Sequence, residues 1–150
     1  MSQPYESAPQ APPGPPPGGP SGPRANFGQR LGAYLIDAIL IGVVVVALYY
    51  ISTILYLIGA LGAIAYWVVL VGNERGQTVG MMALNIRVVD TATGGAIGYG
   101  RSFLRALMMW IGSIPFYLGW LWMLWDPQKQ TWHDKVANTY VVPADAYPRN

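Results

Sequence analysis

Between Ala38 and Asn73 the chain contains no Asp, Glu, Lys, Arg or His, a charge-free run of 36 residues. A run beyond about 18 apolar residues reads as membrane-spanning. The surrounding apolar block, Leu31 to Gly72, would be about 63 Å long as one helix at 1.5 Å per residue, whereas the hydrocarbon core of a bilayer is about 30 Å thick. The block is therefore predicted to fold as a hairpin, with helices at about 31–50 and 54–72. Ile51, Ser52 and Thr53 are its least apolar place to turn. Tyr49, Tyr50 and Tyr56 flank that turn, where an interfacial aromatic belt would place them. Only 11% of the chain is charged, against about 25% in soluble domains, which excludes a soluble globular enzyme.

The rest of the composition narrows the chemistry. With no Cys, disulfides, thiolate nucleophiles and Cys-ligated metals are excluded, and a single His is no metal site. No metal and no cofactor are expected. The nine basic residues are scattered, so nucleic-acid binding is not expected either. Residues 1–26 hold nine of the thirteen prolines and almost nothing that forms a core, which predicts a disordered Pro/Gly-rich tail. This tail lacks the basic and apolar regions of a signal peptide, so the first apolar helix is expected to be a retained anchor.

A third apolar stretch, Phe103 to Trp125, is interrupted by Gly112, Ser113 and Pro115. It fits either one kinked span or a re-entrant hairpin. NIRVVD (85–90) and TYVV (139–142) alternate and are β-branched, so each reads as a short strand needing a partner. If they pair, both lie on one face of the membrane. The hairpin turn is uncharged, while Arg24, Arg30, Arg75, Arg87, Arg101 and Arg105 lie on the other side, so the positive-inside rule places the N-terminus in the cytoplasm. The expected fold is an all-α integral membrane protein: a helical hairpin, the third apolar segment and a small cytoplasmic β-like cap, with a C-terminal tail at 143–150.

Asp37 is the one charge inside the first helix, and an Asp at a helix centre costs about 2.5–3.5 kcal/mol on the insertion scale. It needs a partner or a proton. Arg30 lies two turns earlier on nearly the same face, but helical side chains lean toward the N-terminus, so Arg30 points away from it. Arg105, or Gln77 and Thr78, are the candidates from elsewhere. Near the C-terminus His133 and Asp134 are adjacent and would diverge by about 100° on a helix, with no nucleophile nearby. They read better as a polar cap, in which Asp134 accepts hydrogen bonds or pairs with an Arg, than as a catalytic pair. Trp120, Trp122, Trp125 and Trp132 read as interface anchors. Gly72, Gly76 and Gly80 recur every fourth residue, as close-packing positions or as loop glycines.

Four ordered blocks, GQRLGAYLIDAIL (28–40), GQTVGMMALNIRVVD (76–90), RSFLRAL (101–107) and WHDKVANTYVV (132–142), together resemble the RDD family of small membrane proteins, named for one arginine and two aspartates. The resemblance covers about residues 27–142. It carries the family's arginine onto Arg30 and its aspartates onto Asp37 and Asp134, and Arg105 matches an arginine often seen before the last apolar stretch. Met81 stands where a basic residue is common, and Asn138 where a glycine is usual. A proline-rich tail ahead of such a domain resembles the layout of proline-rich antigen-like proteins. The resemblance implies membrane residence and a suggested role in transport of ligands or ions.

Two functions follow as expectations. One is movement of an ion or ligand, motivated by Asp37 and by Arg30, Arg105 and Asp134 gathered at one face. So small a chain cannot enclose a midplane site by itself, so it would act as a homo-oligomer or a subunit. The alternative is a non-catalytic scaffold that recruits a membrane-protein partner through the tail. No catalytic set is visible, and an enzyme is not expected.

Overall fold

The computed structural model describes residues 20–147. Helix α1, Phe27–Ile51, starts at Asn26, which caps it reciprocally with Gln29: the Asn26 side chain accepts from the Gln29 N–H at 2.8 Å, and the Gln29 side chain accepts from the Asn26 N–H at 3.0 Å. It ends at Ser52, which is extended and also caps α2, Thr53–Gly72. A single residue thus makes the hairpin turn, with Tyr49 stacked edge-on against Tyr50 and Tyr56. The first helix begins four residues before the expected start, because the Asn26/Gln29 cap lies upstream of the apolar run. Both helices are long and apolar enough to cross a membrane. Of their most apolar windows, only 11% of α1 and 6% of α2 is buried within the chain.

Everything else gathers at the open end of this hairpin. Helix α3, Val79–Ala83, leads into β1, Ile86–Asp90, which pairs antiparallel with β2, Thr139–Pro143, from Ile86 opposite Pro143 to Asp90 opposite Thr139. The pairing expected for NIRVVD and TYVV therefore forms. Ile86, Val88, Val141, Ala25, Ala33, Val71 and Ile97 make the core beneath it. The sheet is extended by single backbone bonds on both edges: Val88 N–H donates to the Gly76 carbonyl at 2.8 Å, and Ala25 N–H donates to the Val141 carbonyl at 2.9 Å. Residues 20–26, assigned to the tail by composition, thus pack on the cap, with the Arg24 guanidinium 3.9 Å from the centre of the Tyr140 ring. The expectation of disorder for residues 1–19 falls outside the described residues, as does the end of the C-terminal tail.

Helix α4, Gly98–Ser113, and α5, Leu118–Leu121, which runs on through a 3-10 turn to Leu124, form the third apolar segment, bent by 113°. Its helix begins five residues before the predicted 103, at Gly98. The bend lies where Gly112, Ser113 and Pro115 predict it, and Phe116 and Tyr117 both take left-handed backbone with φ of 51° and 59°. A Cβ on Gly119 would stand 2.9 Å from the Gly112 Cα, so the two glycines let α5 fold back onto α4. Both ends of the segment are tied to the same cap through α6, Trp132–Val136.

Candidate functional site

Two fully buried carboxylates, Asp37 and Asp134, organise the cap. Asp134 is fully buried and lies at the meeting point of three helices. Arg30 from α1 reaches one of its oxygens at 2.6 Å, and Arg105 from α4 reaches the other through Nη2 at 2.9 Å and Nε at 3.0 Å. Thr131 donates its N–H at 3.1 Å and its hydroxyl at 2.8 Å to Asp134, and the Thr139 hydroxyl donates to it at 3.4 Å. That contact is the capping box of α6, with Thr131 at the N-cap and Asp134 three residues on. Burial pushes the Asp134 carboxyl up, but Arg30 and Arg105 outweigh it and hold the group well below the usual carboxylate range.

His133 lies alongside, its Nε2 3.4 Å from Arg30 Nη2 and 3.8 Å from Asp134. Burial lowers its pKa well below the ordinary histidine value, against the pull of Asp134 and with the help of Arg105 and Arg30. The ring is neutral at pH 7, and its Nε2 accepts from the guanidinium. Trp120 packs against both: its ring centroid is 6.0 Å from that of His133 and 5.8 Å from the Arg30 guanidinium.

Asp37 is equally buried, but its partners are neutral. The Tyr66 hydroxyl donates to it at 2.7 Å, the Thr78 hydroxyl at 2.5 Å and the Gly80 N–H at 2.7 Å. Both hydroxyl oxygens in turn accept backbone N–H groups, from Val79 at 3.0 Å and from Met81 at 3.3 Å. Each hydroxyl proton is thereby committed to Asp37, which accepts three times. This contact fastens the N-terminus of α3 to α1 and α2. Gly80 is required there, because a Cβ would collide with the Ala33 carbonyl.

The sequence expectations resolve residue by residue. Thr78 is the partner of Asp37, as one of the candidates named for it. Arg105 is not, because Asp134 takes it. Gln77 is not either, since its amide donates to the Ile86 carbonyl at 2.9 Å and fixes the loop to β1. Arg30 and Asp37 make no ion pair, in keeping with the direction in which helical side chains lean. Of the three glycines, Gly72 is packed against Tyr99 and Gly80 against α1, while Gly76 is a loop glycine with φ of 62°. Asn138 takes φ of 51°, a backbone that asparagine tolerates where glycine is usual. Tyr66 and Thr131 were missed. Thr131 was legible as the first residue of a Thr-x-x-Asp cap, and Tyr66 from its depth, six residues inside Gly72 as Asp37 is six inside Leu31.

Fold and site together define an apolar helical hairpin fastened to a small polar cap by one arginine–aspartate cluster and one aspartate held by neutral donors. The chain belongs to the RDD family, which it matches over residues 24–138. It is 37% identical over 87 residues to the proline-rich antigen homolog of Mycobacterium tuberculosis (strain ATCC 25618 / H37Rv), which takes in 56% of this chain and 36% of that protein. It is 34% identical over 84 residues to the proline-rich antigen of Mycobacterium leprae (strain TN), taking in 54% of this chain and 34% of that protein. The chain thus spans about a third of the length of the curated relatives it matches. No solved structure matches it.

Proposed function

We propose that the chain is a multi-pass protein of the cell membrane, with its N-terminus and polar cap in the cytoplasm, that moves an ion or small ligand as a subunit of an oligomer or a larger membrane assembly. In this reading α1 and α2 cross the bilayer, and the bent α4–α5 segment enters and leaves on the cytoplasmic face. No covalent reaction is assigned to it. The observation that carries the reading is the contrast between the closed polar clusters and the open helix faces. Asp37 and Asp134 are sealed inside the chain, whereas only 11% of the α1 window and 6% of the α2 window is buried within it, leaving the rest to meet lipid or another chain. In this reading a polar path through the assembly runs between chains, and Asp37 is tested because it is the carboxylate set within an apolar helix. Reconstituted liposomes test this: Asp37→Asn, folded at normal yield, should lose proton or sodium flux that the unaltered protein supports. Equal flux from both proteins, or none from either, would remove the transport reading.

A second reading, a scaffold that recruits a partner through the proline-rich segment, is favoured by the packing of residues 20–26 on the cap. Co-purification of a membrane partner that is lost on deleting residues 1–19 would support it.

A further inference from the structure

Helices α1 and α4 meet the arginine–aspartate cluster at one level, because Arg30 and Arg105 both bond Asp134. From that level α1 runs a further 21 residues to Ile51, about 32 Å at 1.5 Å per residue, close to the hydrocarbon thickness of about 30 Å. Helix α4 runs only a further eight residues to Ser113, so it reaches at most about 12 Å beyond the cluster. Its neighbours agree. Tyr99, near its start, packs on Gly72 at the end of α2, whereas Ser113 at its end shares a cleft with Ala63 and Ile64, halfway along α2. The chain then folds back, and Asp126 is held at the cap by Lys135 at 2.5 Å and by the Gln130 N–H at 3.0 Å. The third apolar segment therefore turns no deeper than about the middle of the thickness that the hairpin covers.

The turn itself faces outward, with Ile114 82% and Phe116 90% exposed. The 20 residues from Ala106 to Trp125 carry no charge, and Arg105 and Asp126 bound them. Irregular backbone is kept out of hydrocarbon because its N–H groups would lack acceptors there. This turn leaves none of its donors open. The N–H of Ile114 donates to the Ile111 carbonyl at 3.2 Å, that of Phe116 to Ile114 at 3.0 Å, that of Tyr117 to Ser113 at 3.3 Å and that of Leu118 to Pro115 at 2.9 Å, while Pro115 has no N–H to satisfy. The Ser113 hydroxyl is likewise committed, donating to the Met109 carbonyl at 2.7 Å. A turn in water needs no such closure, since water accepts from whatever the chain leaves free. We infer that the Ile114–Phe116 turn is a lipid-facing surface seated among the acyl chains of the cytoplasmic leaflet, ending near the bilayer midplane and never reaching the far side. The left-handed backbone of Phe116 and Tyr117 reverses the chain at that depth. The inference rests on the membrane placement proposed above, and adds to it the depth of the third apolar segment and the chemistry of its neighbour.

The chain has no cysteine, so single cysteines introduced into the full chain report depth directly. Phe116→Cys, Tyr50→Cys, Glu74→Cys and Gln128→Cys are each exposed to a membrane-impermeant maleimide in spheroplasts and in inside-out vesicles. Glu74→Cys and Gln128→Cys should react only in inside-out vesicles, Tyr50→Cys only in spheroplasts, and Phe116→Cys in neither until detergent is added. A bimane fluorophore then attached at Phe116→Cys should be quenched roughly twice as strongly by phospholipids carrying a nitroxide on the acyl chain, inside the hydrocarbon core, as by iodide in the water. Labelling of Phe116→Cys in spheroplasts would make the segment a full span, and labelling in inside-out vesicles would make the turn a surface loop. Quenching by iodide, or by neither agent, would put water or a second protein chain against the turn instead of lipid. Each of these results overturns the inference. If Phe116→Cys folds poorly, Ile114→Cys carries the same test. Failure of the membrane placement itself appears separately, as labelling of Tyr50→Cys and Glu74→Cys from the same side.

Discussion

The two fully buried aspartates, Asp37 and Asp134, are held in opposite ways. Asp134 is surrounded by two guanidinium groups from distant helices, so buried charge is met by opposite charge. Asp37 is surrounded by two hydroxyls and one backbone N–H, so neutral hydrogen-bond donors hold it. A buried ion pair gains little over an apolar replacement but becomes very costly when one member is removed, because the remaining charges are stranded. A carboxylate met by neutral donors strands only dipoles when it goes. The first arrangement ties α1, α4 and α6 together across the chain, and the second sets α3 against the hairpin. Long-range assembly thus rests on charge and local docking on hydrogen bonds.

The sharpest way to break that contrast is Asp134→Asn. It leaves Arg30 and Arg105 buried against a neutral amide, and the expected loss is about 3–5 kcal/mol. Folded yield and thermal unfolding in detergent measure it. Asp37→Ala should cost about 2–3 kcal/mol, as three donors lose their acceptor, and Asp37→Asn about 1, because the amide can still accept. A loss from Asp37→Ala as large as from Asp134→Asn would show that the two clusters do not differ in kind.

His133 sharpens the comparison through pH. The unfolded chain takes up a proton on this residue near pH 6.5, but the folded pKa lies well below that. The unfolded state therefore binds more protons as the pH falls below about 6.5, and stability drops. Unfolding measured at pH 7 and pH 5 should show this decline, and His133→Gln, which keeps an acceptor for Arg30, should largely remove it. The Asp134 contribution has a lower window: it is complete above the unfolded carboxylate pKa of about 4 and is lost as the pH falls further toward the depressed folded value. A decline between pH 7 and pH 5 that survives in His133→Gln would place the sensitive group elsewhere.

The smallest expected effect lies away from both clusters. Asn138 precedes β2 with left-handed backbone, so Asn138→Ala should cost about 1 kcal/mol, while Asn138→Gly should be near neutral. Comparison of their unfolding midpoints with that of the unaltered protein checks this. Equal losses for the two would mean that the position is held by a side-chain contact rather than by its backbone.

Much of this architecture was legible from local pattern. The charge-free run dictated a hairpin, since an apolar helix twice the thickness of a bilayer must turn, and Ser52 is where it does. Alternation in NIRVVD and TYVV gave two strands, and Gly112, Ser113 and Pro115 marked the bend. These signals are local because helix length, strand period and backbone restriction are properties of neighbouring residues. The involvement of Arg30, Asp37, Arg105 and Asp134 was visible as well, because charges in or beside apolar segments are too costly to be idle. Their pairing was not. Arg105 stood as a candidate for Asp37 and belongs to Asp134, and Gln77 belongs to β1. Which guanidinium reaches which carboxylate depends on how α4 folds back and where α6 comes to rest, positions set by Gly112 against Gly119 and by the register of β1 on β2. The sequence by itself determined that the buried charges had to be answered. Only the tertiary structure decided by what, because the partners lie up to about a hundred residues apart along the chain and are brought together by packing that no local pattern encodes.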